Sequence, residues 1–327
     1  MVYVLKVVRP RGRVLYNVGT GRGGGVPWMK KRSVKQKRTI ERKRSDMECA
    51  KTITLCGCGE NGDEMEQIGE MEESGIAVSV LQDVTATVIE KMGGKAEIID
   101  LRALSGADAA PEAVVLVIRN GVDLLAGIGA LATATAELEV LEPDKHVFSR
   151  KHRKVVDGRV VKDGVVNRTA RWNYCISDRA QAPDIVAKKG TIYVWSQTPT
   201  LDAVRCKMQE LLARPECDVS LAVGEANVYY DVSKCKIGWH GDSERRIVVG
   251  VRFGASEKLP LRFQAFRKAE PEGAEVSILL HPGDVYVMSE AAVGTDWVKE
   301  RASDKKVHWR HGAGSQKALP PKRKRGE

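Results

Sequence analysis

Asn227-Val-Tyr-Tyr230, Ile247-Val-Val-Gly-Val-Arg-Phe253, Leu261-Arg-Phe-Gln-Ala-Phe266, Val276-Ser-Ile-Leu-Leu280 and Val285-Tyr-Val-Met288 are five short runs rich in β-branched and aromatic residues. Gly, Pro or Asp divides several of them. Short strands in such a series suggest a double-sheet barrel or jelly roll. Working outward, Thr191–Trp195 reads as a further strand and Leu201–Leu212 as an amphipathic helix. Val114-Val-Leu-Val-Ile118 is a continuous apolar run of the kind a buried strand needs, and Asn120-Gly121 supplies a turn after it. Val80, Val84, Val88 and Met92 recur at helical spacing before Gly93-Gly94, a common helix stop, and the Ala-rich Ala126–Ala136 reads as helical. The expected class is α+β: a double-stranded β-helix (jelly-roll) core with flanking helices and disordered basic tails.

Charge divides the chain. Of the net +10, residues 1–44 carry fourteen Lys/Arg and one acid, and residues 317–327 carry five Lys/Arg and one acid, so the remainder is net negative. Much of that acidity lies between Asp46 and Glu73. The expected organisation is a basic low-complexity tail over 1–48, an acidic linker over 49–75, a folded domain over 76–316 and a basic tail over 317–327. Within the domain, 76–190 is expected to be helical and lid-like, and 191–316 to hold the jelly-roll core. The tails carry the polyanion signal. Lys322-Arg-Lys-Arg325 after Pro320-Pro321 also reads as a nuclear-targeting cluster.

Other function classes drop out. No run of about 18 apolar residues occurs, and the start lacks a signal-peptide pattern, so an intracellular location without a membrane is expected. Gly19, Gly21 and Gly24 match G-x-G-x-x-G, but Pro27 and a charge run follow where a dinucleotide site needs a helix. Cys56 and Cys58 have no second pair to complete a zinc site.

Chemistry concentrates in Trp239-His240-Gly241-Asp242, because residues i and i+2 of a strand face the same side and can reach one metal. A third histidine would complete the two-His-one-carboxylate face that non-haem iron(II) oxygenases use. Four of the six histidines lie in the last 90 residues: His240, His281, His308 and His311. Upstream stand Asn227 and Tyr229, which would share one strand face; downstream stand Gly283-Asp284 and Arg310-His311-Gly-Ala-Gly314.

The order N-x-Y, H-x-D-x-E, G-D with an apolar strand, and R-H-x-A-G resembles the AlkB-like 2-oxoglutarate/iron(II)-dependent dioxygenases over roughly residues 110–315. Asn167-Arg-Thr-Ala-Arg171-Trp172-Asn-Tyr174 also resembles the family's segment ahead of the core, where a lid grips the nucleotide. The resemblance implies His240, Asp242 and His311 as Fe(II) ligands and Asn227 and Tyr229 as 2-oxoglutarate contacts. His311 is preferred over His281 because the distal ligand follows the strand that the Gly283-Asp284 turn starts; His308 would face the other side. Glu244, Arg171, Trp172 and Met288 fall at substrate-side positions, Met288 where several members place a base-stacking tryptophan. The family's clamping arginines lie well beyond the distal histidine, where this chain has only a basic tail. Arg252 is the best substitute, with Arg310 and Lys317 as alternatives, since even spacing from His240 turns it inward and a buried charge needs a partner.

The implied chemistry is oxidative decarboxylation of 2-oxoglutarate coupled to hydroxylation of a C–H bond, with a nucleic-acid base or its methyl group as the leading substrate. The same chemistry on a protein side chain or a small metabolite is the first alternative, and a non-catalytic binding module on the same scaffold the second.

Overall fold

A computed structural model describes residues 48–62, 64–215, 219–296 and 305–314. The tail over 1–47, the basic tail over 317–327 and their charge clusters, including Lys317, lie outside these residues. The strands are β1 (Ala50–Cys56), β2 (Cys58–Glu60), β3 (Gln67–Gly69), β4 (Lys95–Asp100), β5 (Val114–Arg119), β6 (His146–Val156), β7 (Arg159–Asn167) and β8 (Trp172–Ser177), then β9 (Ile192–Val194), β10 (Val223–Tyr229), β11 (Ile237–His240), β12 (Val248–Gly254), β13 (Leu261–Arg267), β14 (Glu270–Ile278), β15 (Val285–Met288) and β16 (Val307–Ala313). The α-helices are α1 (Val78–Ala86), α2 (Leu101–Ser105), α3 (Gly121–Ala126), α4 (Ala130–Glu139), α5 (Pro199–Leu212) and α6 (Glu290–Val293). The chain is α+β, dominated by strands. No helix among the described residues is long and apolar enough to cross a membrane.

Eight strands form one sheet in the order β4-β5-β15-β12-β1-β10-β8-β9, and four form a second in the order β11-β16-β13-β14. The side-chain period of two explains the layering. In β5, Val114, Leu116 and Ile118 join one core cluster while Val115 and Val117 join another. The first cluster includes Val80, Leu81 and Val84 of α1 and Leu201, Val204, Met208 and Leu212 of α5, so helices cover that face. The second includes Leu261, Phe263, Val307 and Trp309, so the smaller sheet covers the other. Each such fully buried aliphatic side chain is worth about 1.5–3 kcal/mol. A strand covered on both faces must be apolar throughout, which is why Val114–Ile118 reads as a continuous run.

One segment departs from expectation. Residues 49–75 are not a linker: β1 sits inside the large sheet, paired antiparallel with β10 on one side and β12 on the other. Folded structure therefore begins near Ala50 instead of Ile76, and the sheet draws on strands well ahead of residue 191. The cause is visible in Thr52-Ile-Thr-Leu55. Ile53 and Leu55 belong to the helix-side cluster, while Thr52 and Thr54 line the cavity described below. The acidic residues that gave the segment its linker composition come later and are partly used: buried Glu72 accepts from the backbone N–H groups of Gly57 and Arg246.

The pairing has a nested order. β13 pairs with β14, β12 with β15, β11 with β16, and β10 with β1. From β10 to β16 the chain alternates between the two sheets apart from the β13–β14 hairpin, and β1 takes the place beside β10 that a strand after β16 would take. The hairpin β6–β7, also unanticipated, pairs only with itself and is mostly exposed.

Candidate metal centre and cavity

β11 ends at His240, directly opposite His311 of β16. Asp242 lies just past the strand end, where its backbone N–H donates to the Val293 carbonyl at 3.2 Å. The i, i+2 pair thus converges through a strand end and the turn after it, not along a continuous strand. Asp242 Oδ1 stands 3.4 Å from His240 Nε2 and 3.8 Å from His311 Nε2. One ligand atom from each of the three residues falls within 4.8 Å of the others. His281 and His308 take no part in this cluster. His281 donates its backbone N–H to Asp284 Oδ2, and His308 Nε2 accepts from Arg310 Nε.

The ring chemistry suits a cation. His240 Nδ1 lies 2.8 Å from the Gly238 carbonyl, which can only accept, so Nδ1 carries a proton and a neutral ring presents a bare Nε2 to the cluster. Buried His311 Nε2 has no hydrogen-bond partner. Burial and the neighbouring His240 push the His311 imidazole down to about 3, so this ring is neutral at physiological pH. Burial alone would lift the Asp242 carboxyl, but Arg245, His311 and His240 outweigh it and hold the group well below the usual carboxylate range. For His240, burial opposes protonation, yet hydrogen bonding and charge from Asp242 win and move the ring upward. Two nitrogen lone pairs and an ionised carboxylate are a donor set that fits Fe(II).

The cluster opens into a cavity of about 850 Å³ between the sheets. Its wall includes the expected Asn227, Tyr229, Arg252, Glu244, Arg171 and Met288. Trp172 is absent from that wall and stacks on Tyr230 at 4.4 Å, with Lys145 over its ring. Met288 lines the cavity while packing in the second core cluster. The Asn227 amide is engaged, donating to Glu225 Oε1 at 3.1 Å and accepting from Arg171 Nε. Glu244 is also held, by Arg245.

Arg252 does turn inward. It is 1% exposed, its Nη1 donates to Thr52 Oγ1 at 2.9 Å, and its Nε has no partner. Thr52 is its direct cross-strand neighbour on β1. The guanidinium also lies 5.6 Å from the Tyr286 ring centre. Tyr286 can lie across β12 because residue 250 is glycine; a Cβ there would meet the ring at 2.0 Å. No carboxylate among the described residues pairs with Arg252.

Sequence reading missed three groups here: Thr52, Arg245 and Glu225. Arg245 is 4% exposed and bridges Glu225 at 2.6 Å, Glu244 at 2.5 Å and Asp242 at 3.6 Å. Its offset of three from Asp242 was the available signal. Glu225, two residues before Asn227 on β10, shares its inward parity.

The chain is 36% identical over 252 residues to an uncharacterized protein of Acanthamoeba polyphaga mimivirus, a match spanning 76% of this chain and 90% of the viral one. The two belong to one family. No family model matches the chain.

Proposed function

We propose that this member of the viral protein's family is an Fe(II)- and 2-oxoglutarate-dependent dioxygenase on a double-stranded β-helix core, acting on a nucleic-acid base. One observation carries the co-substrate half of the reading. A buried guanidinium with an unpartnered Nε shares a cavity with a two-His-one-carboxylate cluster whose His311 Nε2 is likewise unpartnered. A buried charge without a counter-ion is expensive, and a dicarboxylate spanning from metal to guanidinium relieves that cost. The nested strand pairs are what a long antiparallel hairpin wound into two sheets produces, which supports the jelly-roll core. On this reading β1 fills the place beside β10 that the family's later strand would take, and Arg252 on β12 takes the clamping role.

His240, Asp242 and His311 would hold the metal, and Arg252 with Thr52 would take the far carboxylate of 2-oxoglutarate. With molecular oxygen, the bound metal and co-substrate would supply the oxidising power to hydroxylate a C–H bond, one oxygen atom going to substrate and the other to succinate as CO2 leaves. A hydroxylated N-methyl group releases formaldehyde. The chain's own contribution is orientation and exclusion of water: Tyr229, Tyr286 and Met288 wall the cavity, and each is nearly fully buried.

For the substrate, the β6–β7 hairpin favours nucleic acid. Arg150, Lys151, Arg153, Lys154, Arg159 and Lys162 outnumber Asp157 and Asp163 on it, and its base, Val147 to Ser149 with Val166 and Asn167, lines the cavity. Such an arm can follow phosphates while a base enters. A metabolite or protein side chain is the second reading, favoured by Trp172 stacking away from the cavity.

Anaerobic addition of Fe(II) and 2-oxoglutarate tests the centre through the charge-transfer absorption of the ternary complex. The band is expected in the wild type and in His281→Ala, and is expected to vanish in His240→Ala and His311→Ala. A band retained in His311→Ala and lost in His281→Ala would refute the ligand assignment.

A further inference from the structure

The metal reading leaves unexplained a buried charge chain behind Asp242. The two oxygens of that carboxylate have different neighbours. Oδ1 faces the histidine pair at 3.4 and 3.8 Å, while Oδ2 lies 3.6 Å from Arg245 Nε. The guanidinium is itself fixed on several sides. Nη2 lies 2.6 Å from Glu225 Oε2, Nε lies 3.1 Å from Glu244 Oε1, and Nη1 lies 3.5 Å from Cys56 Sγ. Glu225 is fixed in turn, accepting from the Glu60 backbone N–H at 3.2 Å, Asn227 Nδ2 at 3.1 Å and Asn173 Nδ2 at 3.5 Å. The network thus ties β10 to the turn that carries Asp242.

We infer that Arg245, clamped by Glu225 and Glu244, is a positioning residue that keeps Asp242 a one-oxygen ligand by attracting its second oxygen across an ion-pair contact. The inference rests on the metal reading above. The guanidinium donates its N–H groups to Glu225 and Glu244, which fixes its charge at ion-pair distance, 3.6 Å, from Oδ2. That favours the carboxylate rotation that keeps this oxygen facing Arg245; a flexible ammonium could not be held by both glutamates in that way. An unrestrained Asp242 could chelate through both oxygens. That would consume one of the about three positions that a six-coordinate metal keeps beyond two histidines and one carboxylate oxygen. Co-substrate and oxygen need those positions, so the effect would fall on the open face of the metal rather than on whether it binds.

The full chain loaded with Mn(II) alone tests this through water-proton relaxation, which counts exchangeable waters on the ion. Arg245→Met alone would leave Glu225, Glu244 and Asp242 uncompensated and is expected to fold poorly. The informative variants are therefore Arg245→Met/Glu225→Gln, which removes charge in a pair, and Arg245→Lys, which keeps the charge without the fork. At saturating metal, relaxivity per bound Mn(II) is expected to fall by about a third in the double variant and by less in Arg245→Lys. A merely structural pair would leave relaxivity unchanged in both variants, and that result would overturn the inference. If only Arg245→Lys folds, unchanged relaxivity in it alone does the same. Failure of the wild type to bind Mn(II) would instead remove the metal reading, and the inference with it.

Discussion

The two ends of the cavity are built on opposite electrostatic plans. At the end with the candidate metal cluster every charge has a partner: Asp242 lies between two histidines and Arg245, and Arg245 is shared by Glu225 and Glu244. At the other end Arg252 is as deeply buried and has one neutral hydrogen-bond partner, Thr52. Folding alone therefore satisfies the first end, apart from His311 Nε2. The second end is left short of an anion. A buried charge with partners is structural until removed, whereas a buried charge without one points outward to a ligand.

The largest expected effect comes from breaking the satisfied end. Arg245→Ala strands buried carboxylates and should cost about 3–5 kcal/mol in urea unfolding. Arg252→Met, at the same depth, should instead be neutral or stabilising by up to about 2 kcal/mol, because it deletes a poorly compensated charge. Equal losses at the two sites would erase the contrast.

Ligand binding sharpens it next. With metal present, 2-oxoglutarate at about 100 times its Kd should stabilise the wild type by about 2.7 kcal/mol, seen as a rise in Tm. Arg252→Met should show almost none of that rise.

Proton competition gives a smaller effect confined to the metal end. His240 is held above the ordinary imidazole value, so below its raised pKa a proton must leave before metal binds, while neutral His311 offers no such competition. Metal affinity should then fall as pH drops, approaching about tenfold per pH unit below that pKa, and calorimetry in buffers of different ionisation enthalpy should register proton release. A pH-independent affinity between pH 6 and 8 would contradict this.

The smallest expected effect lies on the hairpin. Arg153→Gln or Lys154→Gln should each weaken single-stranded oligonucleotide binding and lower its salt slope by about one, leaving 2-oxoglutarate binding unchanged. An unaltered slope would detach the arm from the substrate.

The same contrast explains what could be read from sequence. The convergence of His240, Asp242 and His311 was legible because a candidate metal face needs particular residue types in a particular order. Arg252 was legible because strand parity survives along β12, and a lone Arg in an apolar run is conspicuous. Arg245 was not, since Ser243-Glu-Arg-Arg246 looks like an ordinary solvated turn and the fold buries Arg245 alone of the four; nor was Glu225, whose burial only the pairing of β10 between β1 and β8 reveals. β1 was missed because the acidic residues after it dominated the composition, although Thr52-Ile-Thr-Leu55 carries the alternation of a half-buried strand. The hairpin escaped because exposed basic strands lack an apolar face to mark them.

In the proposed reaction, metal and dicarboxylate occupy the two ends of the cavity together. Succinate formation from 2-oxoglutarate, followed by NMR with Fe(II), oxygen and a methylated single-stranded oligonucleotide, tests this most directly. Iron-dependent succinate is expected from the wild type and lost in both His311→Ala and Arg252→Met. No succinate from protein with its iron site fully loaded, or undiminished succinate from Arg252→Met, would contradict it.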